Sequence, residues 1–309
     1  MLHNLRIRLF GRFSVFLNER PINGLYANKL QELLSYLLVH RDSPHARETL
    51  ATLLWGDNST AQSKKYLRQA LWQLQSALES RDEKSRRRAL NVEPDWVCLN
   101  KDADIWLDLE VFEQAFARAR EVAGQHLDAT SAAALEAAVQ LYQGDLLEGW
   151  YQDWCVCERE RLQTNYLIML DKLMSYCEIK QRYETGLTYG LTVLRYDRAR
   201  ESTHRRLMRL YYLAGDRTGA LRQYEHCVAA LKEELGVKPS RLTASLYEQM
   251  RLDEFHSPVV APEGKRDVDP TVLPRVVEHL KQLRCKLKEI HGQVQQDIKT
   301  VDAALDEWR

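Results

Sequence analysis

The chain of 309 residues contains no run of eighteen or more apolar residues, so neither a membrane-spanning helix nor a membrane partner is expected. The opening residues, Met1 to Arg6, lack the apolar centre of a signal peptide. No Gly-x-x-x-x-Gly-Lys-[Ser/Thr] loop occurs, which excludes an ATPase module of that kind. Cysteines are few. The six, at 98, 155, 157, 177, 227 and 285, are scattered as in a reduced cytoplasmic chain rather than arranged as a disulfide framework. Cys155 and Cys157 have no second Cys/His pair nearby in sequence, so no metal site is expected. No recognisable nucleophile–base motif appears, so neither an enzyme nor a bound cofactor is expected. Net charge is missing too: 44 basic residues balance 44 acidic ones, and a whole-chain attraction to nucleic acid is excluded.

The balance is uneven along the chain. Residues 1–100 carry 15 basic and 10 acidic side chains, net +5. Residues 101–252 carry 20 and 23, and residues 253–309 carry 9 and 11. The positive excess sits on the segment whose pattern best suits DNA. There Leu5 to Leu17 alternates about Gly11 and Arg12 as two short antiparallel strands, followed by turn residues at Asn18 to Pro21. Three amphipathic helices come next, over about 28–40, 46–54 and 60–79. The third has a buried stripe of Leu67, Ala70, Leu71, Leu74 and Leu78. Residues 89–92 and 96–99, joined around Glu93, Pro94 and Asp95, read as a hairpin. Three helices bracketed by strands make a winged helix-turn-helix, with the third helix in the recognition position and the hairpin as wing.

Candidate DNA-binding residues follow from that assignment. Arg68, Gln69 and Gln73 are of the types that read base edges, and Lys64 and Lys65 sit where they can meet phosphates. The bland reading is a solvated helix face. The wing turn is acidic and would repel phosphate, so the basic run Arg86, Arg87 and Arg88 before the hairpin is the alternative phosphate contact.

From Asp104 the pattern is helical almost without break. Leu173 and Met174 recur as Leu207 and Met208, and Leu187 recurs as Leu221, a 34-residue period like that of tetratricopeptide hairpins. Arg195, Arg198, Arg200, Arg205, Arg206 and Arg209 crowd one helical junction. They are either an anion site, for example for a nucleotide messenger, or a surface paired with Asp197, Glu201 and Asp216. Trp150, Tyr151 and Trp154 read as core and docking aromatics. Pro258, Gly264 and Pro270 mark a linker, after which Leu273, Val276, Leu280, Leu283, Leu287, Ile290 and Val294 form a heptad seam. That seam would either pair two chains or fold back on the array.

The chain resembles the Streptomyces antibiotic regulatory protein family, which joins an OmpR-like winged helix to a bacterial transcriptional activator domain of tetratricopeptide type. The resemblance is carried by Leu9 to Phe13, the block Lys29 to Leu78, Asp108 to Phe112, Leu141 to Gly149, Trp154 with Glu158 to Leu162, and His204 to Ser240. It implies a mainly α fold with a little β structure: a winged helix at 1–103 followed by a helical array at 104–252. The linker at 253–271 and the long C-terminal helix at 272–309 are read from the residue pattern alone and lie outside the resemblance. The resemblance implies a cytoplasmic transcription regulator, an activator, that binds double-stranded promoter repeats and contacts RNA polymerase. The rival expectation is a sensor or scaffold whose array binds a small anion or a peptide, with DNA binding secondary.

Overall fold

The computed structural model describes residues 5–22, 25, 27–78 and 88–255. The expected C-terminal helix, its coiled-coil seam, most of the linker and both Arg86 and Arg87 lie outside the described residues. Among those described, no helix is long and apolar enough to cross a membrane.

Strand β1 (Leu5–Arg8) pairs antiparallel with β2 (Ser14–Leu17), and β2 with β3 (Arg20–Pro21). Asn18 and Glu19 turn the β2–β3 hairpin at φ 47° and 63°; two left-handed residues are what a two-residue turn between right-twisted strands requires. Helices α1 (Asn28–Val39), α2 (Arg47–Trp55) and α3 (Thr60–Leu78) follow. They close on Leu33, Leu34, Leu37 and Leu38 of α1, Leu50 and Leu54 of α2, and Leu67, Leu71 and Leu74 of α3, all buried. The hairpin forms as β5 (Leu90–Val92) and β6 (Trp96–Leu99), with Leu90 opposite Leu99 and Val92 opposite Val97.

Beyond β3, which takes up Arg20 and Pro21 of the expected turn, two short strands depart from the expected pattern. Residues His45–Ala46 form β4, which pairs with β6 and extends the wing to three strands. Residues Ile105–Leu107, expected to be helical, form β7, a parallel neighbour of β1. Segments this short have no periodicity to read, and each is held by a partner far away in sequence.

The array begins with α4 (Asp108–Ala119), a 3₁₀ turn (Gly124–His126) and α5 (Ala129–Leu141). It continues through α6 (Asp153–Ile179), α7 (Tyr183–Tyr196), α8 (Glu201–Leu213), α9 (Arg217–Leu235) and α10 (Arg241–Arg251). The 34-residue period is visible in side chains. Leu173, Met174, Leu207 and Met208 are all fully buried, and Leu187 and Leu221 pack half-buried at equivalent places. Three of the helices begin on a capping side chain: Asp128, Asp216 and Ser240 accept from the backbone N–H groups of Ser131, Gly219 and Thr243.

Winged helix and array share one hydrophobic core. Phe10 bridges to Leu146, Gly11 donates to the Asp145 carbonyl, and Leu147 donates to that of Leu9. The Asp108 carboxylate, at the start of α4, accepts from the N–H groups of Leu9, Phe10 and Leu109. Burial nonetheless pushes its pKa up. Arg159 of α6 donates to the carbonyls of Leu146, Leu147 and Trp150, fixing the loop that meets the first sheet. At the far side of the seam, Arg41 and Arg161 both hold Glu113 at 2.6 Å. Tyr36, His40 and Trp154 pack there with tilted and edge-to-face rings, and burial lowers the His40 pKa against the opposing pull of the Glu158 carboxylate. Trp150 and Trp154 are half-buried as expected, whereas Tyr151 is exposed to solvent and belongs to no core.

Candidate nucleic-acid interface

Helix α3 exists as an amphipath because apolar residues recur every three or four positions, and that stripe points into the core. Its start is fixed by Ser63, which is buried and donates its hydroxyl to the Trp55 carbonyl at 2.7 Å, closing the turn after α2. The opposite face is thereby obliged to look outward. Lys64, Lys65, Arg68 and Gln69 are exposed, and Gln73 is half-buried. Lys64 is not a free cation: its ammonium lies 2.5 Å from the exposed Glu48 carboxylate, and that bond holds Glu48 below the usual carboxylate range.

The wing and α2 close one side of this face. Arg47, the first residue of α2, donates its backbone N–H to the Asp95 carbonyl and its guanidinium to the Glu93 carbonyl. A cation therefore sits at the acidic wing turn that the sequence alone presented as repulsive. Between them runs an open cleft of about 510 Å³, lined by Arg47, Glu48, Lys64, Arg68, Pro94, Asp95 and Trp96 among others. Arg88 lies at the foot of the hairpin, away from that turn, where its carbonyl accepts from Asn100. The structure thus gathers Lys64, Lys65, Arg68, Gln69 and Gln73 on one helix and leaves Arg88 apart from them.

Sequence reasoning missed three residues of this surface. Arg47 was hidden because its partners lie 46 and more residues away. Trp96 of β6 lines the cleft and is 47% exposed. Trp72 of α3 is 67% exposed, and its place off the buried stripe was a usable signal.

Residues 107–251 match the bacterial transcriptional activator domain. That match takes in slightly less than half of the chain. Among solved structures it is similar to Mycobacterium tuberculosis EmbR, captured in complex with a low-affinity phosphopeptide. The TM-score is 0.67 at 17% identity, over 82% of this chain and 66% of that one. The chain therefore spans slightly less than two thirds of that protein's length, and the likeness is one of fold. No curated protein sequence matches the chain. The two matches bear out the resemblance to the Streptomyces antibiotic regulatory proteins and support a transcriptional regulator of that type.

Within the activator domain, the arginine cluster is largely engaged with acidic partners. Arg206 meets Asp171 at 2.7 Å and Arg209 meets Glu178 at 2.5 Å, both joining α8 to α6. Arg205 reaches Glu201 and the Thr243 hydroxyl, and Arg198 reaches Glu233 and Glu234. The acidic partners are mainly on neighbouring helices rather than the Asp197 and Asp216 the sequence offered. Arg195 is exposed at the last turn of α7, and Arg200 is half-buried just before α8. Cys155 is buried and its thiol is pushed up by desolvation, while Cys157 is exposed. Among the described residues no group of three or more His, Cys, Asp or Glu is arranged to hold a metal.

Proposed function

We propose that the chain is a DNA-binding transcription activator that lays α3 in the major groove of promoter repeats. The carrying observation is the outward face of α3, where Lys65, Arg68 and Gln69 stand exposed on a helix whose other face is fully committed to the core. Arg and Gln present the donor and acceptor groups that pair with guanine and adenine edges. Arg47 and Lys64 lie together on the flank of that face that the wing and α2 close, where they fit phosphate contact along one side of the groove. The activator domain supplies the surface for RNA polymerase, a role that rests on the family resemblance. A second copy of the chain on the neighbouring repeat would compensate for the modest net charge of the winged helix.

The experiment is a mobility-shift assay on the duplex that the full chain enriches from a random-sequence library. Arg68→Ala and Gln69→Ala should each lose about 1–3 kcal/mol of binding and relax sequence preference. Lys65→Ala should weaken all duplexes alike and lower the salt slope by about one. Lys64→Ala should cost less than Lys65→Ala, because its charge is shared with Glu48. Unchanged binding in the Arg68 and Gln69 variants would remove α3 from the interface.

A further inference from the structure

Trp72 lies outside the hydrophobic core. The buried stripe of α3 is complete without it, and it is the one large hydrophobic residue of that helix left exposed, at 67%. At about 100° per residue it projects within about 20° of Lys65, about 40° of Arg68 and about 60° of Gln69 around the helix axis. The indole therefore stands at the centre of the polar face, between the cations. Whatever covers it must be apolar at one point and anionic around it. A protein partner of ordinary interface size would need a broad apolar patch, whereas on α3 the exposed ring stands alone, with Lys65 and Arg68 on the turns before it. A DNA groove has the complementary pattern: phosphates at both rims and, on the base edges of the floor, one apolar group, the C5-methyl of thymine.

We propose that Trp72 is a specificity-determining residue that reads a thymine through its C5-methyl group. The inference rests on α3 being the DNA-reading helix and adds which base its central residue selects. Arg68 and Gln69 would then read the neighbouring purines, so the half-site would hold a thymine flanked by guanine or adenine within one turn of the groove.

The test uses the full chain and the duplex enriched by the wild-type protein from a random library. Each thymine is replaced in turn by deoxyuridine, which lacks only the methyl. Wild type should lose about threefold to tenfold in affinity at one position of the half-site. Trp72→Ala should bind the thymine duplex more weakly by a similar factor and be indifferent to uracil at that position. Its melting temperature should match wild type, since the side chain is outside the core. If every deoxyuridine is tolerated by wild type, or if the variant still responds to the same deoxyuridine, the methyl contact is disproved. If Trp72→Ala leaves DNA binding intact while Arg68→Ala abolishes it, the indole serves another partner and the inference falls with the recognition helix still standing. If no duplex is enriched at all, both fall together.

Discussion

At the scale of single residues, His204 shows how the array fixes a protonation state. It is 2% exposed, its Nε2 lies 2.8 Å from the Arg198 carbonyl, and its Nδ1 lies 2.7 Å from the Gln223 amide nitrogen. The neutral ring with Nε2 protonated donates to the carbonyl and accepts from Gln223, so every polar atom is satisfied. Adding a second proton sets two donors against each other in a desolvated place, and burial accordingly lowers the His204 pKa. The sign for stability follows: with the folded value below the unfolded one, the unfolded chain takes up protons first. Stability held at neutral pH should fall as pH drops below about 6.5. Urea unfolding across that range should show a shallower decline in His204→Gln, which has nothing to protonate; equal slopes would remove His204 from the account. Gln223→Leu should cost about 1–2 kcal/mol at neutral pH by leaving Nδ1 unpaired. None of this was legible in the sequence, where His204 and Gln223 are simply polar residues on two helices. The contrast is Leu207, whose burial the 34-residue recurrence did announce.

At the scale of elements, legibility follows length. Helices α1 to α3 and the β5–β6 hairpin appear in the sequence because stripe and alternation repeat often enough to be read. Strand β7 does not, since three residues leave no period, and its pairing with β1 spans about a hundred residues of chain. The 3₁₀ turn at Gly124–His126 belongs to the same class. A Cβ placed on Gly124 would meet the Lys172 carbonyl oxygen, and would stand 2.8 Å from both the Lys172 Cα and the Ser175 Cβ. The turn can lie against the backbone of α6 only because residue 124 has no side chain, and the Lys172 ammonium then reaches back to the Arg120 and Val122 carbonyls. Two of the three obstructing atoms are main chain, so no rotamer change relieves them. Gly124→Ala should therefore destabilise the protein by about 1–3 kcal/mol despite its neutral chemistry. A denaturation midpoint equal to wild type would show that the turn moves freely on α6. On the candidate interface the same rule of reach applies. The cations of α3 were readable from local pattern, while Arg47 became part of the surface only when the wing folded back onto α2.

At the scale of the whole molecule, the winged helix and the activator domain depend on each other for main-chain hydrogen bonds as well as for core. Strand β1 is an inner strand of its sheet only because β7 lies beside it. The N–H groups of Leu9 and Phe10 end on the Asp108 carboxylate. The Phe10 ring lies 5.0 Å from Phe112 and 4.9 Å from Tyr142, between residues that belong to α4 and the end of α5. A fragment ending at Ala103 keeps the three helices and the wing but exposes Ile7, Leu9 and Phe10, all buried in the longer chain. Each lost hydrogen bond is worth about 1 kcal/mol and each exposed large side chain about 1.5–3 kcal/mol. Together these losses approach the whole stability of a small domain. The fragment 1–103 should thus melt far below the fragment 1–255, and the latter should unfold in a single transition detected alike by far-ultraviolet circular dichroism and tryptophan fluorescence. Because Trp55, Trp72 and Trp96 report on the winged helix while Trp106, Trp150 and Trp154 report on the seam, replacing either set of three by Phe should leave the midpoint of that fluorescence transition the same for both reporters. Two separated midpoints would mean that the winged helix opens on its own. A shared midpoint would mean that the orientation of α3 relative to the activator domain is set by a common core rather than by a flexible joint.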